Sequence, residues 1–192
     1  MVMAAAAEHD AQLMLRVREG DSASFTTLSE RHRRPVVHYL FRMVGHQGVA
    51  EELAQEVFLR VYRSRESYEP TAKFTTWLYR ITTNLALNWL RDARREKGQA
   101  SLDEPAGEGP AIQIADTHAN AEQRMVGEAR ADEVRQAIQG LPDNQRAAVL
   151  MHKYQDLGYA QIAEALGCSV PAVKSLLFRA YESLRARLAH LS

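Results

Sequence analysis

The chain has 192 residues, 46% of them apolar, and its 24 Lys and Arg balance 24 Asp and Glu for a formal charge of zero. That is enough apolar material for one large or two small cores, and no apolar run approaches the ~18 residues of a membrane helix. A lone cysteine, Cys168, rules out an intramolecular disulfide, and the start Met-Val-Met-Ala-Ala-Ala-Ala lacks the basic leader and apolar length of a signal peptide, so a cytoplasmic chain is expected.

The zero charge hides an uneven distribution. Residues 1–95 hold 14 Lys/Arg against 11 Asp/Glu, residues 96–133 hold 3 against 9, and residues 134–192 hold 7 against 4. Two mildly basic lobes therefore flank an acidic middle, which removes the objection that a neutral chain is ill suited to nucleic acid. The pattern is helical throughout, with no alternating strand of useful length. The expected fold is all-α: a disordered tail over 1–9, a helical domain over 10–95, a flexible acidic linker over 96–122 and a second helical domain over 123–192.

In the first domain, Ala50, Leu53, Ala54, Val57, Phe58 and Val61 recur at i, i+3, i+4, i+7, i+8 and i+11, which predicts an amphipathic helix over 50–63. Its outer face offers Glu51, Glu52, Gln55, Glu56, Leu59, Arg60 and Arg63, with the acids in the first turns where the helix dipole favours them. The following loop, Ser64 to Phe74, is rich in polar and aromatic groups, among them Tyr68 and Lys73, and suits a pocket wall.

A further helix begins near Thr75 and runs to Arg95. Leu78, Ile81, Leu85 and Trp89 span about 80° of the wheel and should be buried, while Arg80, Asn84, Asn88, Arg91 and Arg95 fall within about 80° on another side. Arginines beside amides suit phosphates and exposed base edges. Trp77 lies at the edge of that stripe, placed either to stack on an unpaired base or to close the core beneath the preceding loop. Beyond it, the stretch from about Arg95 to Glu122 is Gly, Pro, Ser and acid without lasting periodicity, the composition of a linker.

The segment Tyr159–Leu188 reads as helix, tight turn, helix. Ile162, Ala163 and Leu166 form one apolar stripe, Gly167 ends it, and Ser169 stands where an N-cap belongs before Val173, Leu177, Ala180 and Leu184. Opposite that second stripe lie Pro171, Lys174, Ser175, Phe178 and Arg179. An outward phenylalanine among cations and a hydroxyl is unusual for a merely solvated face. Arg179 can bond a guanine edge, Phe178 can lie on a thymine methyl, Ser175 can bond base or phosphate, and Lys174 can neutralise phosphate. The unit is a helix-turn-helix, with Cys168 as a small apolar residue in its turn.

The order of these segments resembles the extracytoplasmic-function group of bacterial RNA polymerase sigma factors. AEELAQEVFLRVYR is similar to their region 2.2, FTTWLYRITTNLALNWLRDARR to regions 2.3 and 2.4, and LPDNQRAAVLMHKYQDLGYAQIAEALGCSVPAVKSLLFRAYESL to region 4. The resemblance covers most of the chain from about Leu13 to Leu188 and implies promoter-specific transcription initiation. Glu51, Glu52, Gln55, Glu56 and Leu59 would dock on the clamp helices of the largest core-polymerase subunit. The 64–74 loop, with Tyr68 and Lys73, would hold a flipped base of the −10 element. Trp77, Arg80, Asn84 and Asn88 would line the separated strand, and Arg91, Arg94 and Arg95 would hold its backbone. Pro171, Lys174, Ser175, Phe178 and Arg179 would read the −35 duplex, with this second domain near the polymerase flap region. The acidic linker would run toward the active-site and RNA-exit path. The resemblance also implies an anti-sigma partner, which could hold the chain at a membrane without insertion. Leu176 and Tyr181 stand where many relatives carry arginine, Asn88 where aspartate is frequent, and Gly158 and Gln161 where a Ser/Thr cap and glutamate are frequent.

Two other classes fit the sequence less well. A stand-alone helix-turn-helix regulator would leave the Arg/Asn helix without a duty. An enzyme finds no support: the seven histidines are scattered without HxxxH, HExxH or a Cys/His cluster, and no nucleophile–base arrangement is visible. Neither cofactor nor metal is expected.

Overall fold

The computed structural model describes the backbone of residues 2–99 and 121–191, and the side chains of 9–96 and 130–191. Among the described residues there are eight α-helices and no strand: α1 Val2–Arg18, α2 Ser22–Val44, α3 Gln47–Arg63, α4 Phe74–Gln99, α5 Ala121–Gln139, α6 Asp143–Tyr154, α7 Tyr159–Leu166 and α8 Val170–Arg187. Helix α1 begins at Val2, so the segment expected to be a disordered tail is helical; the Ala run is a strong helix former, and Leu13, Met14 and Val17 anchor its C-terminal half in the core. Helix α4 continues four residues past Arg95, and most of the expected linker lies outside the described residues.

Local chemistry sets the helix ends. Asp21 caps α2, its carboxylate accepting from the backbone N–H groups of Ala23 (3.0 Å) and Ser24 (3.3 Å). At the other end Gly45 takes the left-handed conformation, φ 78°, and donates to Phe41 O at 2.8 Å. His46 Nδ1 caps α3 by accepting from Val49 N at 3.3 Å.

The first domain packs α1–α4 around Met14, Val17, Leu28, Val36, Tyr39, Leu40, Met43, Val57, Val61, Phe74 and Leu78. Helix α4 is the axis of the molecule, because it is covered on two sides. Leu78 and Leu85 are buried as their spacing predicts, with Ile81 and Trp89 half-buried. Thr76, Thr82, Thr83 and Ala86 are buried as well, and α7 and α6 of the second domain pack against this helix. The three buried threonines each find a partner, Thr76 through Gln161 of α7. Thr83 Oγ1 lies 2.8 Å from Tyr39 Oη and 4.0 Å from Met151 Sδ; Thr82 Oγ1 donates to Leu78 O at 2.9 Å.

The second domain encloses Leu141, Leu150, Met151, Leu157, Ile162, Val173, Leu177 and Ala180. Arg146 is its buried cation, 8% exposed. Its guanidinium donates to Met43 O in the first domain and to Gln139 O and Leu141 O in the second. It thus lies at the C-terminal ends of both α2 and α5, where unpaired carbonyls and the helix dipoles favour positive charge. Burial lowers the Arg146 pKa and neighbouring Asp143 pulls it back up; the group remains charged at neutral pH.

Candidate nucleic-acid interface

The helix-turn-helix forms where the sequence places it. Gly167 adopts φ 63° and ends α7, and Ser169 Oγ accepts from Ala172 N at 3.3 Å to open α8. Val173, Leu177 and Ala180 are buried and Leu184 is half-buried, which fixes the rotation of α8. Pro171, Lys174, Ser175, Phe178 and Arg179 consequently all face out. Phe178 is 68% exposed, the most exposed of the large apolar side chains among the described residues. Leu176 and Tyr181 flank that face half-buried, and Cys168 is half-buried rather than enclosed. Gln161, in place of the frequent glutamate, still supplies one half of a capping box: its Oε1 accepts from Gly158 N at 2.9 Å.

On α4 the expected stripe is exposed in full, Arg80, Asn84, Asn88, Arg91 and Arg95, and Arg94 beside it is exposed as well. Arg91 Nη2 donates to Asn88 Oδ1 at 3.1 Å, aligning cation and amide along one line. Arg94 is engaged elsewhere, its Nη2 lying 2.6 Å from both carboxylate oxygens of Asp143 on α6. Trp77 is half-buried, its ring 5.0 Å from Tyr68 and 6.0 Å from Phe74, so it packs over the edge of the core while part of it stays exposed beside the stripe. Tyr68 requires a correction. It is 0% exposed, enclosed by Phe74 and Trp77, and cannot offer its ring to DNA in this conformation; the loop chain turns it inward because the aromatic cluster gains more by burial than by solvation. Lys73 remains exposed.

The C-terminal turn of α3 meets α4 in an open cleft of about 420 Å³ lined by Arg60, Arg63, Ser64, Arg80, Ile81 and Asn84. Three guanidinium groups, an amide, a hydroxyl and one apolar side chain suit a nucleotide, with phosphate at the rim and base against Ile81. Arg60 is paired with Glu56 at 2.7 Å, whereas Arg63 and Arg80 form no ion pair among the described residues. Periodicity places Arg60 and Arg63 on the outer face of α3 and does not assign them to this site; they reach it because the last turn of α3 lies against the second and third turns of α4.

The remaining face of α3 presents Glu51, Glu52, Gln55 and Leu59 to solvent, with Glu56 half-buried; Leu59 is 49% exposed. Beside it, Tyr62 packs edge-on against Phe25 and beneath Arg65. An apolar centre ringed by acids and an amide is the composition of a protein-docking face.

A helix-turn-helix with a bare recognition face, joined to a helical domain with an Arg/Asn stripe and a cationic cleft, defines a bipartite DNA-binding protein. Two family models match the chain, Sigma-70 region 2 over residues 28–96 and Sigma-70 region 4 over residues 131–184. The ECF RNA polymerase sigma factor SigW of Bacillus subtilis is 33% identical over 179 residues, covering 91% of this chain and 94% of that protein. The ECF RNA polymerase sigma-E factor of Haemophilus influenzae is 33% identical over 186 residues, covering 95% and 96%. Among solved structures, CnrH in complex with the cytosolic domain of CnrY shares the fold at a TM-score of 0.67 and 19% identity, covering 95% of this chain and 99% of that one. RpoE of Bartonella quintana with the anti-sigma factor NepR matches at 0.68 and 20%, covering 86% and 96%. The chain belongs to the extracytoplasmic-function family of RNA polymerase sigma factors, the alternative sigma factors that direct transcription initiation.

Proposed function

We propose that this chain reads promoters at two points and assigns each point to a face. The second domain lays α8 in the major groove of the −35 element, with Arg179 and Ser175 on base edges, Phe178 on a thymine methyl, and Lys174 and the Pro171 turn against the backbone. The first domain takes the separated non-template strand of the −10 element along Arg80, Asn84 and Asn88. The α3–α4 cleft of Arg60, Arg63 and Ser64 receives a nucleotide, while Lys73, Arg91, Arg94 and Arg95 hold phosphates. The outer face of α3, Glu51, Glu52, Gln55, Glu56 and Leu59, docks on the clamp helices of core polymerase. Bond making belongs to the polymerase, and the chain supplies binding and strand capture in the cytoplasm.

The observation that carries this reading is the simultaneous exposure of the two faces on separate domains: Phe178 and Arg179 on α8, and Arg80, Asn84 and Asn88 on α4. The two solved neighbours were each captured with a protein partner, CnrY or the anti-sigma factor NepR, which supports an anti-sigma partner here as well. The acidic residues 96–122 are proposed to run toward the polymerase RNA path.

Run-off transcription with core polymerase and a genomic promoter library tests the reading. Promoter-specific transcripts are expected; their absence, together with tight binding of the isolated chain to a palindromic duplex, would replace it with a stand-alone regulator. Glu52→Ala with Gln55→Ala should weaken core binding first and leave the promoter preference of the residual transcripts unchanged.

A further inference from the structure

We infer that the packed junction of the two domains is a reversible self-lock, in which Asp143 of α6 stands in for a DNA phosphate on Arg94. The inference rests on the assignment of Arg94 to the promoter strand made above. One turn beyond Asp143, Arg146 holds the end of α2 through Met43 O, so consecutive turns of α6 grip both α4 and α2.

The junction is built to be released. Gln161 donates through Nε2 to Thr76 Oγ1 at 3.3 Å across the seam, yet its Oε1 keeps the Gly158 cap within its own domain. Thr83 touches Met151 across the seam and keeps Tyr39 on its own side. Arg146 loses one acceptor on opening, Met43 O, and retains Gln139 O and Leu141 O. Asp143 loses Arg94 but keeps the Arg146 guanidinium 4.0 Å away. Gln161, Thr83, Arg146 and Asp143 each keep a partner on their own side, while the atoms that let go, Gln161 Nε2, Thr76 Oγ1 and Arg146 Nη1, are turned to water by the same opening. Arg94 is the exception. Its side chain is 63% exposed and Asp143 is its partner across the seam, so release leaves a free guanidinium on the DNA stripe.

Closed and promoter-bound forms exclude one another on length. Elements named −35 and −10 lie ~25 base pairs apart, about 85 Å along B-form DNA. In the closed chain α7 of the helix-turn-helix packs directly on α4, with Gln161 touching Thr76 at the first turn of the strand-binding helix. Reading both elements requires the seam to part, and phosphate on Arg94 competes with the carboxylate that holds it shut.

The full-length chain tests this with spin labels at exposed Arg33 and Glu164 in a Cys168→Ser background. Wild type should give a single short separation, and Asp143→Asn should add a longer one. The same variant should bind a fluorescent random-sequence single-stranded DNA 12-mer about five- to tenfold more tightly at low salt, and adding Arg94→Ala should abolish the gain. Arg146→Lys, which keeps the charge and loses the fork, should lengthen the separation independently. An unchanged separation in both Asp143→Asn and Arg146→Lys overturns the lock. A longer separation without tighter DNA binding overturns the competition; if Arg94→Ala then also leaves binding unaltered, the failure lies in assigning Arg94 to the strand.

Discussion

Asp10 Oδ2 on α1 lies 2.8 Å from His32 Nε2 on α2, both side chains buried, with Arg31 on the second carboxylate oxygen and the Phe74 ring 5.3 Å from the imidazole. This cluster ties the first two helices to the start of α4. Burial by itself would push the Asp10 carboxyl up, but the hydrogen bond from His32 and the charges of His32 and Arg31 outweigh it and hold the pKa below the ordinary carboxylate value. A depressed folded-state pKa contributes stability that is present above the unfolded value, about 3.9, and is lost as pH falls through the folded one. Asp10→Asn should therefore cost on the order of 1–3 kcal/mol at pH 7 and flatten the acid limb. Urea unfolding between pH 3 and pH 7 checks it, and a variant that loses stability in parallel with wild type at every pH would contradict the assignment.

The exposed face of α8 separates binding from folding. Phe178 is 68% exposed, so Phe178→Ala should change stability by no more than about 0.5 kcal/mol while lowering use of preferred −35 sequences by roughly tenfold, the loss of one good base contact. Arg179→Ala should relax preference at a single −35 position and leave core binding intact. Paired thermal melts and run-off transcription give both readouts. If Arg179→Ala leaves every −35 preference unchanged, the orientation given to α8 is wrong.

The cationic cleft predicts a salt effect. Arg63 and Arg80 form no ion pair among the described residues and line the space between α3 and α4. Each phosphate contact removed should lower the slope of log K against log salt by about 0.7 for a single strand. Arg63→Ala and Arg80→Ala should each show that loss in binding of single-stranded −10 DNA by the polymerase-bound chain, measured between 50 and 200 mM salt. Equal slopes for wild type and both variants would remove the cleft from the strand path.

Much of this architecture was legible because each helix declares one apolar face. Val173, Leu177 and Ala180 fixed α8, and Gly167 and Ser169 fixed the turn, since a left-handed residue and a hydroxyl cap act within a few residues of themselves. What periodicity does not show is a second buried face. Thr76 and Thr83 carry the residue type of a polar surface and are enclosed because Gln161 of α7 and Met151 of α6 arrive from more than 60 residues away in sequence. Arg146 likewise reads as a solvated cation; only the meeting of two helix C-termini makes it a buried anchor. Tyr68 failed for the converse reason. A loop aromatic can turn to solvent or to the core, and Phe74 and Trp77 decide it from the next helix.

The end of α2 gives a final test, because Gly45 supports both a helix cap and the junction. Its φ of 78° lies in the left-handed region, where an L side chain costs roughly 1–2 kcal/mol. A Cβ there would also stand 3.0 Å from Gln139 Nε2, the far end of a flexible side chain on α5 that can move aside. Backbone strain should thus outweigh the steric term, and Gly45→Ala should destabilise the chain by about 1 kcal/mol, with Gly45→Asn costing less because asparagine tolerates the left-handed region. A midpoint shift of roughly 2–4 °C per kcal/mol is within reach of calorimetry for a chain of this length. Should Asn cost as much as Ala, contact with Gln139 rather than backbone conformation would be the dominant constraint, and Gln139→Ala would then rescue both variants.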